Sequence, residues 1–382
     1  MWWFFAAWFG VSGWASAAEN PSDAAGQKTQ GEEFSKPPVE HWRVRLPGGR
    51  VNSASHTERA TPVIVGDEIY VGTAAGQGIY RLARSDGGLK GHFDAEASVQ
   101  ASPLVLEDGV IFSDIGGDTY AYDLEGTLRW KHDGRAPILA SPVHHEGRVY
   151  LTDVEDRVVA LEASDGALLW QYQQRKDPTR RSGLSLYAAP RAVPVDNGEM
   201  LFGFSDGSVV ALDADTGDVK WNRRMGEGAY PDIVADPLWS DGVLYVSGYF
   251  TPFVAFDVET ATLRWRQEQG AASTPILMRD GFIVHPGTDG SLRAYEAVSG
   301  DLKWMWDSMS QAALTSPVVT EAGLLVGIGD GTLVLLDERE GQEIWRYRSD
   351  FILQGITASP VVEGRQVVFV TNAGWIQSMV SP

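Results

Sequence analysis

The chain has 382 residues, 43% of them hydrophobic and 21% charged, which is enough apolar content for a sizeable core. Its formal net charge of −20 argues against nucleic acid and anionic membrane surfaces as main partners. It has no cysteine, which excludes disulfides, zinc–thiolate and iron–sulfur sites, a cysteine nucleophile and a lipid-modified cysteine.

In chain order, Trp2 to Ala18 is uncharged and apolar or small, and Ala15-Ser16-Ala17 has the small-x-small form of a cleavage site. Residues 1–18 therefore read as a secretory signal peptide or an N-terminal anchor. No Lys or Arg precedes the apolar run, which is unusual for a signal. Residues 19–39 are rich in Glu, Gln, Ser, Pro and Gly and read as a flexible linker.

Residues 40–382 are one unit repeated. A small residue followed by proline recurs at Thr61-Pro62, Ser102-Pro103, Ser141-Pro142, Ala189-Pro190, Asp236-Pro237, Thr274-Pro275, Ser316-Pro317 and Ser359-Pro360. The intervals are 41, 39, 48, 47, 38, 42 and 43 residues. Each step opens a short apolar run, a turn, and a second run such as Val243-Leu244-Tyr245-Val246. A second turn follows, often Asp-Gly, and then a third run ending in Ala-x-Asp/Glu. A last turn leads to a Trp four residues after its Gly, as in Gly166 to Trp170 and Gly300 to Trp304. Ala261 replaces that Gly before Trp265.

Four short strands rich in Val, Leu, Tyr and Phe within ~40–45 residues make a propeller blade. The predicted fold is all-β, an eight-bladed propeller of four-stranded antiparallel blades. The eighth unit stops after its third strand, and Trp42-Arg43-Val44-Arg45-Leu46 resembles Trp345-Arg346-Tyr347-Arg348. The N-terminal segment is therefore expected to supply the last outer strand and close the ring. Trp42, Trp130, Trp170, Trp221, Trp265, Trp304 and Trp345 are read as structural wedges between blades. Gly91 holds the Trp position in the first blade, which is expected to be the least tightly docked.

The enzyme-like signals are weak, and no catalytic residue, metal ligand or cofactor is assigned. Gly203-Phe204-Ser205-Asp206-Gly207 matches G-x-S-x-G but falls in a strand–strand turn, without the helix that a nucleophile elbow needs. Asp213 to Gly217 resembles the start of a calcium loop with the wrong glycine spacing. His144 and His145 are neighbours on a strand, so they point to opposite faces.

Ala-x-Asp/Glu, a turn Gly and x-x-x-Trp resemble the docking motif of the PQQ-type (quinoprotein-like) propeller repeat over roughly residues 40–382. Within that superfamily the chain resembles the BamB family of outer-membrane β-barrel assembly factors. The quinoprotein dehydrogenases are longer and have a vicinal cysteine pair, which this chain lacks. The BamB resemblance implies a partner surface on the connections from the third to the fourth and from the fourth to the fifth blade, the two longest here. Leu184-Ser185-Leu186-Tyr187 is similar to that family's Leu-Ser-Leu-Arg segment, with Tyr187 replacing Arg. Asp232-Ile233-Val234 is similar to its Asp-Val-Asp segment, with Val234 replacing the second Asp, and Tyr249 sits where that family often has Tyr. Arg180 and Arg181 beside the leucines give the first connection a hot-spot composition on an acidic chain.

The resemblance implies a non-catalytic, exported, periplasmic scaffold that binds a β-barrel assembly machinery protein through Leu184, Leu186, Tyr187, Asp232, Arg180 and Arg181. It would be a monomeric propeller that reaches the outer membrane only through protein partners. Two other classes stay open: an extracytoplasmic ligand-binding or sensing propeller, and a PQQ-dependent oxidoreductase.

Overall fold

A computed structural model describes residues 36–47, 57–175, 190–195, 197–226, 230–271, 273–278, 280–348 and 355–381. Among the described residues every regular element is a strand. The strands form eight four-stranded antiparallel sheets, seven of them made of four consecutive strands. In the eighth, Val361–Glu363, Gln366–Thr371 and Trp375–Val380 are completed by Val39–Arg45, which pairs with Trp375–Val380. The ring is thus closed by the N-terminal strand, as the repeat count predicts. Blade 1 spans residues 63–93, blade 2 104–132, blade 3 143–173, blade 4 193–224, blade 5 238–267, blade 6 276–307 and blade 7 318–348.

The core lies between blades. Each of the eight apolar clusters joins two neighbours, such as Tyr150, Val158 and Trp170 of blade 3 with Met200, Phe202 and Leu212 of blade 4. The first, inner strands begin with the small-residue–proline step, and its hydroxyls link blades. Ser102 N donates to Ser141 Oγ (3.1 Å), Asp236 N to Thr274 Oγ1 (3.2 Å) and Thr274 N to Ser316 Oγ (3.0 Å). Proline at the next position forfeits no ladder bond there.

The outer Trp residues account for the rest of the repeat. All but Trp345, which faces Leu335, stand opposite a small residue of the neighbouring strand in their blade, as Trp170 does opposite Ala160 and Trp304 opposite Ala294, which leaves room for the indole. The indole lies on the turn glycine of the following blade. A Cβ on Gly87, Gly166, Gly217, Gly300 or Gly341 would come within 2.5–2.7 Å of Trp42, Trp130, Trp170, Trp265 or Trp304. The indole N–H donates to a backbone carbonyl in the same turn. Trp42 bonds Arg84 O (2.9 Å), Trp130 Ala163 O (3.0 Å), Trp170 Ala214 O (3.0 Å), Trp265 Ala297 O (2.8 Å) and Trp304 Glu338 O (3.0 Å). Trp345 is buried between blades 7 and 8.

Among the described glycines none lies under Trp345, and two further interfaces depart from this pattern. Between blades 1 and 2, Arg81 stands opposite Gly91, and its Nη1 donates to Leu124 O (2.7 Å), in the place of an indole N–H. The expected loose first blade therefore has a substitute link. Between blades 4 and 5, Ala261 occupies the glycine position at φ 54°, and its methyl group stands where an indole would lie. Trp221 is only half-buried there and donates to Glu199 Oε2 of its own blade (3.2 Å).

Candidate partner-binding site

The connections between blades emerge on the same face as the turns between second and third strands. Leu184, Leu186, Tyr187, Arg180 and Arg181 lie outside the described residues. The connection from blade 4 to blade 5 is described on both sides of residues 227–229. The chain leaves strand Val219–Arg224, and Met225 N and Gly226 N both bond Gly207 O (2.7 and 2.9 Å). Gly226 carries no side chain because a Cβ there would meet Pro231 O at 2.1 Å.

The following segment runs inward. Ile233 N bonds Phe204 O (3.2 Å), and the Ile233 side chain is fully buried in the cluster between blades 4 and 5. Asp232 is drawn in with it and has no exposed surface, contrary to the expectation that it touches a partner. Thr251 Oγ1 donates to Pro231 O (2.9 Å) and lies 3.5 Å from Asp232 O. Seating Ile233 in the core is what buries its neighbour.

What faces solvent at this place is aromatic. The turn 247–252 of blade 5 presents Tyr249 (39% exposed) and Phe250 (59% exposed). The Phe250 ring lies 4.9 Å from Tyr249 and 5.5 Å from Tyr230 on the connection. Gly248 lets the turn lie against the connection, since a Cβ there would meet Asp232 O at 1.9 Å. Three touching rings on one patch are the composition of a protein-binding hot spot. Sequence reasoning placed Tyr249 here but missed Phe250 and Tyr230. The available signal was Tyr-Phe in a turn where blades 6 and 7 have Thr288-Asp289-Gly290 and Gly329-Asp330-Gly331.

At the inner end Arg191 donates from its backbone N and its Nε to Asp236, both at 2.7 Å, tying blade 4 to the start of blade 5. The enzyme-like motifs are structural in this fold. Ser205 lies in a strand–strand turn and donates through its Oγ to Asp156 of blade 3 (2.5 Å). Asp213 accepts from Lys220 and from the N–H groups of Thr216 and Asp215, which together hold its carboxyl low, at about 2. Among the described residues no group of three or more His, Asp or Glu side chains is placed to hold a metal ion.

Eight four-stranded blades, joined at five interfaces by an indole on a turn glycine, define a PQQ-like β-propeller. A family model described as outer membrane protein assembly factor BamB matches residues 75–237 and 228–381, and the chain belongs to that family. Outer membrane protein assembly factor BamB of Bordetella pertussis is 25% identical over 293 residues, 75% of this chain and 74% of that one. The crystal structure of BamB from Moraxella catarrhalis is similar in fold, with a TM-score of 0.76 at 19% identity, over 90% of this chain and all of that one. A quinohemoprotein alcohol dehydrogenase of Pseudomonas putida, ADH-IIG, is 34% identical over 97 residues, 25% of this chain and 14% of that one.

Proposed function

We propose that this propeller is a non-catalytic scaffold that acts in the periplasm and assists the assembly and insertion of outer-membrane β-barrel proteins. It binds a β-barrel assembly partner on the face where the two longest connections emerge. The observation that carries this reading is the solvent-facing cluster of Tyr230, Tyr249 and Phe250 on the second of those connections and the turn beside it. Leu184, Leu186, Tyr187, Arg180 and Arg181 of the first connection are proposed to bind the same partner, and Asp232 to support the aromatic cluster from within. Residues 1–18 direct export, as a cleaved signal or as an anchor.

A photo-crosslinking residue at position 250, used in the native envelope with mass spectrometry of the captured proteins, tests the reading. Capture of a β-barrel assembly protein, lost in a Tyr249→Asp background, is the expected result. Capture of unrelated periplasmic proteins only, or full partner binding by a folded Phe250→Asp, Leu184→Asp, Leu186→Asp variant, overturns it.

A further inference from the structure

Blades 4 and 5 meet differently from their neighbours. At five interfaces an outer-strand indole covers the next blade's turn glycine and bonds a carbonyl in that turn, which locks the rim of one blade to the rim of the next. At the sixth, Arg81 makes the corresponding bond, and at the interface of blades 7 and 8 the Trp345 indole is buried in the apolar cluster that joins them. At the blade 4–5 interface the glycine is Ala261, and the Trp221 indole is bonded back to Glu199 of its own blade. The links that do cross lie nearer the axis. They are the Arg191–Asp236 pair at 2.7 Å and the apolar cluster that contains Ile233, Leu244 and Val246, against which Trp221 and Val258 pack from the rim only partly buried.

An interface pinned at its inner end and without a hydrogen-bonded indole lock at its rim can act as a hinge. We propose that the seam between blades 4 and 5 is the compliant joint of the ring, where the rims of the two blades separate about the Arg191–Asp236 pivot. The motion would tilt blade 5, and with it Tyr249 and Phe250, against blade 4. A closed ring with one soft seam can change the shape of one face without breaking the Val39–Arg45 closure, because seven interfaces keep their contacts. The joint belongs to the free protein and needs no partner.

The test uses the absence of cysteine. Spin labels at Val219→Cys and Leu263→Cys, equivalent exposed rim positions of blades 4 and 5, report the seam. Labels at Leu263→Cys and Leu302→Cys report the neighbouring interface of blades 5 and 6. The first pair is expected to give the wider distance distribution, and Ala261→Gly is expected to narrow it to the width of the second pair by letting Trp221 dock. Gly300→Ala, whose Cβ would meet the Trp265 indole at 2.7 Å, is expected to widen the second pair. Equal widths for the two pairs in the parent chain, or a seam width unchanged by Ala261→Gly, overturn the proposal.

Discussion

His285 is the most deeply buried titratable ring in the described chain, and its surroundings are arranged for the neutral form. It stacks on Phe253 with 4.4 Å between centroids, its Nε2 lies 3.2 Å from Ser247 Oγ, and its Nδ1 has no hydrogen-bond partner. Burial, reinforced by the Arg293 charge, pushes its pKa down to about 3. In the unfolded chain the ring titrates near 6.5. Between those values the unfolded state binds the extra proton, so the contribution to stability is complete above about 6.5 and is lost progressively as the pH falls toward 3. Each unit across the window costs up to about 1.4 kcal/mol. Urea midpoints measured from pH 7 to pH 4 are expected to fall in the parent chain and to fall much less in His285→Phe, whatever that variant's stability at neutral pH. A parallel decline in both proteins would assign the acid sensitivity to other groups. Ser247 opens the turn that carries Tyr249 and Phe250, so the same ring bears on the geometry of the aromatic patch.

At the scale of strands and blades, the energetics divide by interface. Trp170 is 8% exposed, lies on Gly217 and bonds Ala214 O, so Trp170→Ala removes apolar contact with two blades together with that hydrogen bond. A loss of about 3–5 kcal/mol is expected from denaturant unfolding. Trp221→Ala, at the undocked position, is expected to cost less than half of that. Equal losses would mean that the docking geometry adds nothing to the burial.

The blades were legible in the sequence because most interfaces reuse the same parts, so Pro, Ala, Gly and Trp recur at nearly one spacing. The pairing of those parts was less legible. A turn glycine stands four residues before the Trp of its own blade but receives the Trp of the preceding one, a relation that only closure of the ring creates. For the same reason Ala261 marks Trp221 and not Trp265 as undocked. Gly91 looked like a missing wedge because its replacement, Arg81, comes from a different strand. Asp232 was placed by its resemblance to a segment, and resemblance carries no information about the inward turn that seats Ile233. Phe250 is exposed because its turn is long, which a blade-by-blade alignment of turn lengths would have shown.

For the whole molecule, the interrupted blade is geometrically ordinary. Ser381 N bonds Arg365 O (2.9 Å), as Ala163 N bonds Gly147 O and Ala214 N bonds Gly198 O where other blades begin their last turn. Val39 pairs with Val380 at the end of the final strand pair. A short turn copied from Asp213 to Asp218 would therefore join residue 381 to residue 39 at the geometry that blades 1, 3, 4, 6 and 7 already use, and the chain could be opened in another blade instead. Circular permutation is tolerated at exposed turns where little backbone bonding is lost. The position of the new ends then decides the outcome. Opening between Glu259 and Thr260 breaks a turn on which no indole is docked, because Ala261 stands in it. That permutant is expected to unfold cooperatively with a stability within roughly 1 kcal/mol of the parent, the scale of a single exposed turn bond. Opening between Val298 and Ser299 frees the turn on which Trp265 rests and from which Ala297 O accepts its N–H, so a larger loss is expected. Denaturant unfolding of the two permutants, side by side, checks the order. The reverse order would mean that ring closure by Val39–Arg45 has a special role that the other outer strands cannot take over.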